Sequence, residues 1–94
     1  DIRRYYGLHQ SNLASKGIGF VDFNSTIYGA YALFVEDETG KEYVSIFIRK
    51  SMRGKGFYEK IYYRDFPHLT VVTSHSCEIE DFLRRKRIPF LVVD

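Results

Sequence analysis

Two runs of strand-forming residues flank a short polar turn, and this feature restricts the chain's fold more than any other. Ile27 to Val35 reads Ile-Tyr-Gly-Ala-Tyr-Ala-Leu-Phe-Val, and Glu42 to Arg49 reads Glu-Tyr-Val-Ser-Ile-Phe-Ile-Arg. Between them lies Glu36-Asp37-Glu38-Thr39-Gly40, acidic and ending in glycine. β-Branched and aromatic side chains suit a pleated surface, and the glycine-ended turn reverses the chain, so an antiparallel hairpin is expected.

The other segments read as follows. Ile2 to Lys16 has rough helical spacing through Tyr5, Tyr6, Leu8, His9, Leu13 and Ala14, and Ser15-Lys16-Gly17 reads as its stop. Ile18 to Phe23 predicts a short strand and Asn24-Ser25 a turn. After the hairpin, Ser51 to Gly56 is a basic loop with two glycines, and Phe57 to Phe66 predicts a helix closed by Pro67. Leu69 to Thr73 predicts a buried strand, Cys77 to Arg87 a helix capped by a lone serine, and Phe90 to Val93 a last strand after Pro89. Glu78, Glu80 and Asp81 open the second of these helices and Arg84 to Arg87 close it, a polarity that suits the helix dipole. The order is α-β-β-β-loop-α-β-α-β. It predicts an α/β (α+β) fold with a single mixed sheet, antiparallel strands followed by a βαβαβ half, and helices on its faces.

The 94 residues fit one domain, 1–94, with no room for two. A domain this size buries only roughly 60–65 % of its unfolded surface, so its core is limited. Eight Phe and eight Tyr compensate, since each buried ring removes ~150–250 Å² from water. Cys77 is the only cysteine, so no internal disulfide forms, and His9, His68 and His75 are scattered without metal-ligand spacing. No apolar run reaches the ~20 residues of a membrane span, and no signal peptide opens the sequence. A reducing, cytoplasmic setting is the expectation. Asp1 rather than Met opens the chain, which allows for a trimmed N-terminus.

Net charge is +2, divided as −2 over residues 1–47 and +4 over 48–94. The excess lies in two runs: Arg49, Lys50, Arg53 and Lys55, then Arg84, Arg85, Lys86 and Arg87. This imbalance suggests an anionic ligand near the second half, although a solvated basic face carries the same charges.

The chemistry concentrates at Ile46-Phe47-Ile48-Arg49-Lys50-Ser51-Met52-Arg53-Gly54-Lys55-Gly56-Phe57-Tyr58. An apolar strand runs into a glycine-bearing cationic loop, and a helix begins at once. Glycines let main-chain N–H groups turn toward a ligand, and the helix start adds oriented donors and partial positive charge. Such a segment is suited to a pyrophosphate. It is neither a Walker loop nor the dinucleotide Gly-x-Gly-x-x-Gly, and a basic glycine turn without a ligand shares its composition.

The segment resembles the acyl-CoA-binding motif of the GNAT superfamily of N-acyltransferases. There an apolar-x-Val-x-Pro strand end runs into Arg/Gln-x-x-Gly-x-Gly/Ala. Ile46 and Ile48 match the apolar positions, and Arg53-Gly54-Lys55-Gly56 matches the loop. The similarity covers about residues 27–94. Lys50 stands in place of the usual proline, and Tyr58 in place of the last Gly/Ala. In the final helix Leu83 occupies the place of the tyrosine general acid, Ser76 that of an asparagine, and Arg87-Ile88 that of a Gly-Phe pair.

The resemblance implies direct attack of an amine on the thioester of acetyl-CoA or another acyl-CoA, the acceptor being a small molecule or a protein. It places Ile48, Met52, Arg53, Gly54, Lys55, Gly56, Phe57 and Tyr58 in cofactor binding: the splayed strand near Ile48 takes the pantetheine arm and the loop amides take the pyrophosphate. Glu42, six residues before Ile48, stands where some members carry the base, and a solvated glutamate beside a turn is the plainer account. For the acid, Tyr62, Tyr63, Ser74, His75 and Cys77 are within reach; His75 at a strand end is favoured, since strand C-termini border sites in α/β sheets. A capping or solvated histidine is the competing account of His75, and core packing is that of Tyr5, Tyr6 and His9 as an acceptor cleft. The alternative function is a non-catalytic binding, inhibitor or adaptor protein of the same fold, whose basic face meets nucleic acid or a protein partner.

Overall fold

The computed structural model describes residues 13–23, 26–36 and 39–92. Among these residues five strands form one mixed sheet in chain order: β1 (Leu13–Phe23), β2 (Thr26–Glu36), β3 (Glu42–Ile48), β4 (Thr70–Thr73) and β5 (Phe90–Val92). β1, β2 and β3 pair antiparallel, while β3, β4 and β5 run parallel. Helix α1 (Phe57–Asp65) connects β3 to β4, and α2 (Cys77–Arg85) connects β4 to β5. The hairpin, the loop, both of these helices and the mixed sheet lie where the sequence predicts them.

The N-terminal reading needs a correction. The helix expected over Ile2–Lys16 lies outside the described residues up to position 12, and residues 13–16 are extended. Leu13, Ala14 and Ser15 pair with Glu36, Val35 and Phe34. The register then skips Lys16, so Ser15-Lys16-Gly17 is a bulge inside a strand and not a helix stop. Leu13, Ala14 and Ser15 gain ladder partners along the eleven-residue β2, which weak local periodicity cannot outweigh. The Asn24-Ser25 turn lies outside the described residues.

The hairpin turn closes with Gly40 N–H donating to the Glu36 carbonyl at 2.8 Å and Glu36 N–H to Lys41 at 2.9 Å. Gly40 sits at φ +70°, a conformation that favours glycine.

Alternation along the strands divides the core between two faces. Val44, Ile46 and Ile48 of β3 and Val71 of β4 pack against Ile61, Tyr62 and Phe66 from the α1 region and Leu83 and Ile88 from the α2 region. Both described helices therefore share one face, where a sequence of same-handed crossovers puts them. Ala30, Ala32, Phe34, Tyr43, Ser45 and Val72 belong to the opposite face and are also buried. A sheet buried on both sides accounts for the near-continuous apolar composition of β2 and β3.

Helix α2 ends by the hydrogen bonds of a Schellman motif, Ile88 N–H to Leu83 O at 2.9 Å and Arg87 N–H to Arg84 O at 3.1 Å. Arg87 adopts φ +57° there, in place of the glycine this motif prefers. Ile88 and Leu83 both enter the core, the apolar contact that accompanies such an ending. Among the described residues no helix is long and apolar enough to cross a membrane.

Candidate functional site

Strand β3 carries different partners along its length. With β2 its register runs from Glu42↔Val35 to Ile48↔Gly29. With β4 it covers only Tyr43↔Thr70 and Val44↔Val71. Beyond Val44 the two parallel strands part, and β4 continues against β5 to Thr73↔Val92.

The ladder also tells which way the main chain faces. Arg49 N–H donates to Tyr28 O at 2.8 Å. Hydrogen-bonded and non-bonded pairs alternate in an antiparallel ladder, so Phe47, Ser45 and Tyr43 direct their polar groups at β2. Val44, Ile46 and Ile48 direct theirs toward β4. Val44 meets Val71; Ile46 and Ile48 face the gap.

A cleft of about 510 Å³ occupies that gap, a size ordinary for a small-molecule site. Ile46, Phe47 and Ile48 all line it. Successive side chains of a strand point to opposite faces, so three consecutive lining residues mean that the cleft runs along the strand's main-chain edge.

The loop after β3 forms the cleft's second wall through Met52, Arg53, Gly54 and Gly56. A short 3-10 turn over Lys50–Met52 precedes it. Gly54 and Gly56 sit at φ +76° and +80°, so the loop depends on glycine at both positions. Gly56 is the N-cap of α1. The loop is exposed, and no hydrogen bond among the described residues uses the N–H of Gly54, Lys55 or Gly56. Helix α1 begins at Phe57, and a helix start carries partial positive charge. Phe57 opens α1 stacked on Tyr28, centroids 4.4 Å apart. Tyr28 is the residue of β2 that the β1–β2 register skips, so it sits at a second bulge beside the helix start.

The third wall comes from the far side of β4. Ser74 and Ser76 line the cleft, followed by Glu78, Ile79 and Phe82 on one face of α2. Ser76 is the α2 N-cap in extended conformation, yet its side chain makes no capping hydrogen bond. Tyr58 meets Phe82 edge-on at 5.7 Å and joins the two helices across the cleft.

Charges in the cleft have mixed sign. Arg53 lines it; its Nε donates to Ile48 O at 2.9 Å, and its guanidinium lies 5.1 Å from the Phe47 ring centroid. Glu59 and Glu78 also line it. Glu59 pairs with Lys86 at 3.5 Å, while no ion pair among the described residues holds Glu78. No family model, curated protein or solved structure matches the chain. Among the described residues no His, Cys, Asp and Glu group has the arrangement of a metal site.

Of the residues singled out in the sequence, Ile48, Met52, Arg53, Gly54, Gly56, Phe57 and Tyr58 come together around the cleft. Lys55 is exposed on the same loop but does not line it. Glu42 opens β3, and six residues of strand place it roughly 20 Å from Ile48, at the other end. His75 is exposed on the β4–α2 connection between the two lining serines. Neither Glu42 nor His75 lines the cleft.

Tyr62 lies in the core, its hydroxyl shared between Leu69 O at 3.1 Å and Pro67 O at 3.3 Å. Burial, then the neighbouring Tyr63, pushes its pKa above the ordinary value. Tyr62 therefore fastens α1 to the start of β4. Leu83 is fully buried, and the residue of that helical turn that reaches the cleft is Phe82. The basic run at 84–87 is partly engaged: Arg84 with Asp81 at 3.5 Å and with the Phe90 ring, Lys86 with Glu59.

Sequence reasoning missed Glu59, Glu78, Ile79 and Phe82. The signal lies in the βαβαβ order, because two successive parallel crossovers bring the connection after β4 beside the one after β3.

Proposed function

We propose that the chain binds an acyl-CoA in this cleft and transfers the acyl group, acetyl in the first instance, to an amine. One observation carries the reading: a strand edge that β4 leaves unmatched at Ile46 and Ile48 leads into a glycine loop in which, among the described residues, the N–H groups of Gly54, Lys55 and Gly56 are unengaged. The GNAT-like segment around Arg53-Gly54-Lys55-Gly56 supports it from the sequence side.

An elongated ligand with amide groups followed by phosphates suits those two surfaces in turn. The edge at Ile46 and Ile48 accepts the pantetheine amides as an added strand would be accepted. The loop amides and the start of α1 hold the pyrophosphate. Phe57, Tyr58 and Phe82 exclude water beside them.

When bound, acyl-CoA supplies a thioester, whose carbonyl carbon forms a bond to the amine nitrogen as the C–S bond breaks. Glu78 takes the proton that the amine gives up, in place of the expected Glu42. The resemblance assigns a tyrosine acid to the place where Leu83 is buried. A thiol with a pKa of about 8.5 leaves without a strong acid, and the hydroxyls of Ser74 and Ser76 supply hydrogen bonds at the departing sulfur.

The burial of Leu83 favours a second reading, a domain that binds acyl-CoA without transfer. Calorimetry with acetyl-CoA, then thiol release across a panel of amines, tests both. Binding with turnover supports the enzyme, binding without turnover supports the second reading, and absence of binding rejects both.

A further inference from the structure

Arg53 occupies a conflicted position. Its Nε holds the carbonyl of Ile48 at 2.9 Å. That carbonyl belongs to the edge that faces the gap left by β4, where an added strand finds its acceptors. The arginine that the loop presents to an anion is thus the group that masks the strand edge beside it. The guanidinium rests on the Phe47 ring at 5.1 Å, a perch that stabilises the masked arrangement.

We propose that Arg53 is a gate: it releases the Ile48 carbonyl when a ligand phosphate takes its guanidinium, so the strand edge opens only to phosphate-bearing thioesters. This rests on the acyl-CoA reading above. A phosphate binds a guanidinium with two parallel charge-assisted hydrogen bonds, stronger than one bond to a neutral carbonyl, so the exchange runs toward the open state when phosphate is present. A pantetheine ester without phosphates offers nothing in return and meets a masked acceptor. The site thereby selects CoA esters over pantetheine esters through two linked effects, attraction of the phosphate and refusal of the arm alone.

The two effects have opposite signs in a variant. Arg53→Met keeps an unbranched side chain on the Phe47 ring and removes the donor. Chemical-shift titrations of wild type and variant with acetyl-CoA and with S-acetylpantetheine read both. The gate predicts acetyl-CoA affinity lower by roughly 10- to 100-fold and S-acetylpantetheine affinity higher by roughly 3- to 10-fold, the range of a charged hydrogen bond lost and a carbonyl unmasked. Unchanged or weaker S-acetylpantetheine binding in the variant, with acetyl-CoA still bound by wild type, overturns the gate and leaves the acyl-CoA reading intact. No acetyl-CoA binding by wild type removes that reading, and the gate with it. Should Arg53→Met fail to fold, Arg53→Lys keeps the charge without the planar fork, and the gate predicts the same gain for S-acetylpantetheine.

Discussion

The two halves of β3 make an instructive pair. From Tyr43 to Val44 the strand is paired on both edges, and its main-chain groups belong to the sheet. From Ser45 to Ile48 it keeps β2 and loses β4. Composition does not separate them, since Val44 and Ile46 are equally strand-forming and both are buried. Availability of the main chain does. A closed edge contributes to stability and an open one offers donors and acceptors to a ligand, so substitutions in the two halves should act on different measurements.

The largest expected effect is at the open end. Gly56→Asp puts an anion at a position whose φ of +80° favours glycine, and acetyl-CoA affinity by calorimetry should fall more than about 100-fold, with two or more charged hydrogen bonds lost. Glu78→Gln should lower kcat by about 100-fold with acetyl-CoA affinity within a few-fold, since it removes a proton acceptor and no phosphate contact. At the closed end Val44→Ala should cost about 2 kcal/mol in denaturant unfolding and leave ligand affinity of the folded protein unchanged. If Val44→Ala weakens binding as much as Gly56→Asp does, the division between the two halves is wrong.

The smaller effects concern fastenings away from the cleft. Arg87→Gly should stabilise by about 1 kcal/mol, because Arg87 occupies the left-handed position of the α2 ending. Tyr62→Phe should cost up to about 1 kcal/mol through the lost bond to Leu69 O. Tyr62 holds its proton more tightly folded than unfolded, so this contribution is present below about pH 10 and disappears as pH rises through the folded value. The Tyr62→Phe variant should therefore lose less stability than wild type between neutral and strongly alkaline pH.

What the sequence made legible was local. Gly40, Gly54 and Gly56 each mark a turn that requires positive φ, so the hairpin and the loop-to-helix junction follow from residue type. Residues 13–16 were not legible, because their strand state depends on the pairing of Leu13, Ala14 and Ser15 with Glu36, Val35 and Phe34, far along the chain in β2. The parting of β3 from β4 had no signature in composition either; it is set by where two distant strands cease to align. For the same reason Glu42, plausible by count along the strand, stands at the far end from the cleft, and Phe82 reaches the cleft while Leu83 does not.

Backbone amide shifts on titration with acetyl-CoA test the central claim most directly, because they report main-chain donors residue by residue. The account predicts large shifts confined to Ile46, Ile48 and Gly54 to Tyr58, with Tyr43 and Val44 unmoved. Saturable binding whose shifts cluster instead on Arg84 to Arg87, or the absence of any shift at Gly54 and Gly56, would contradict it.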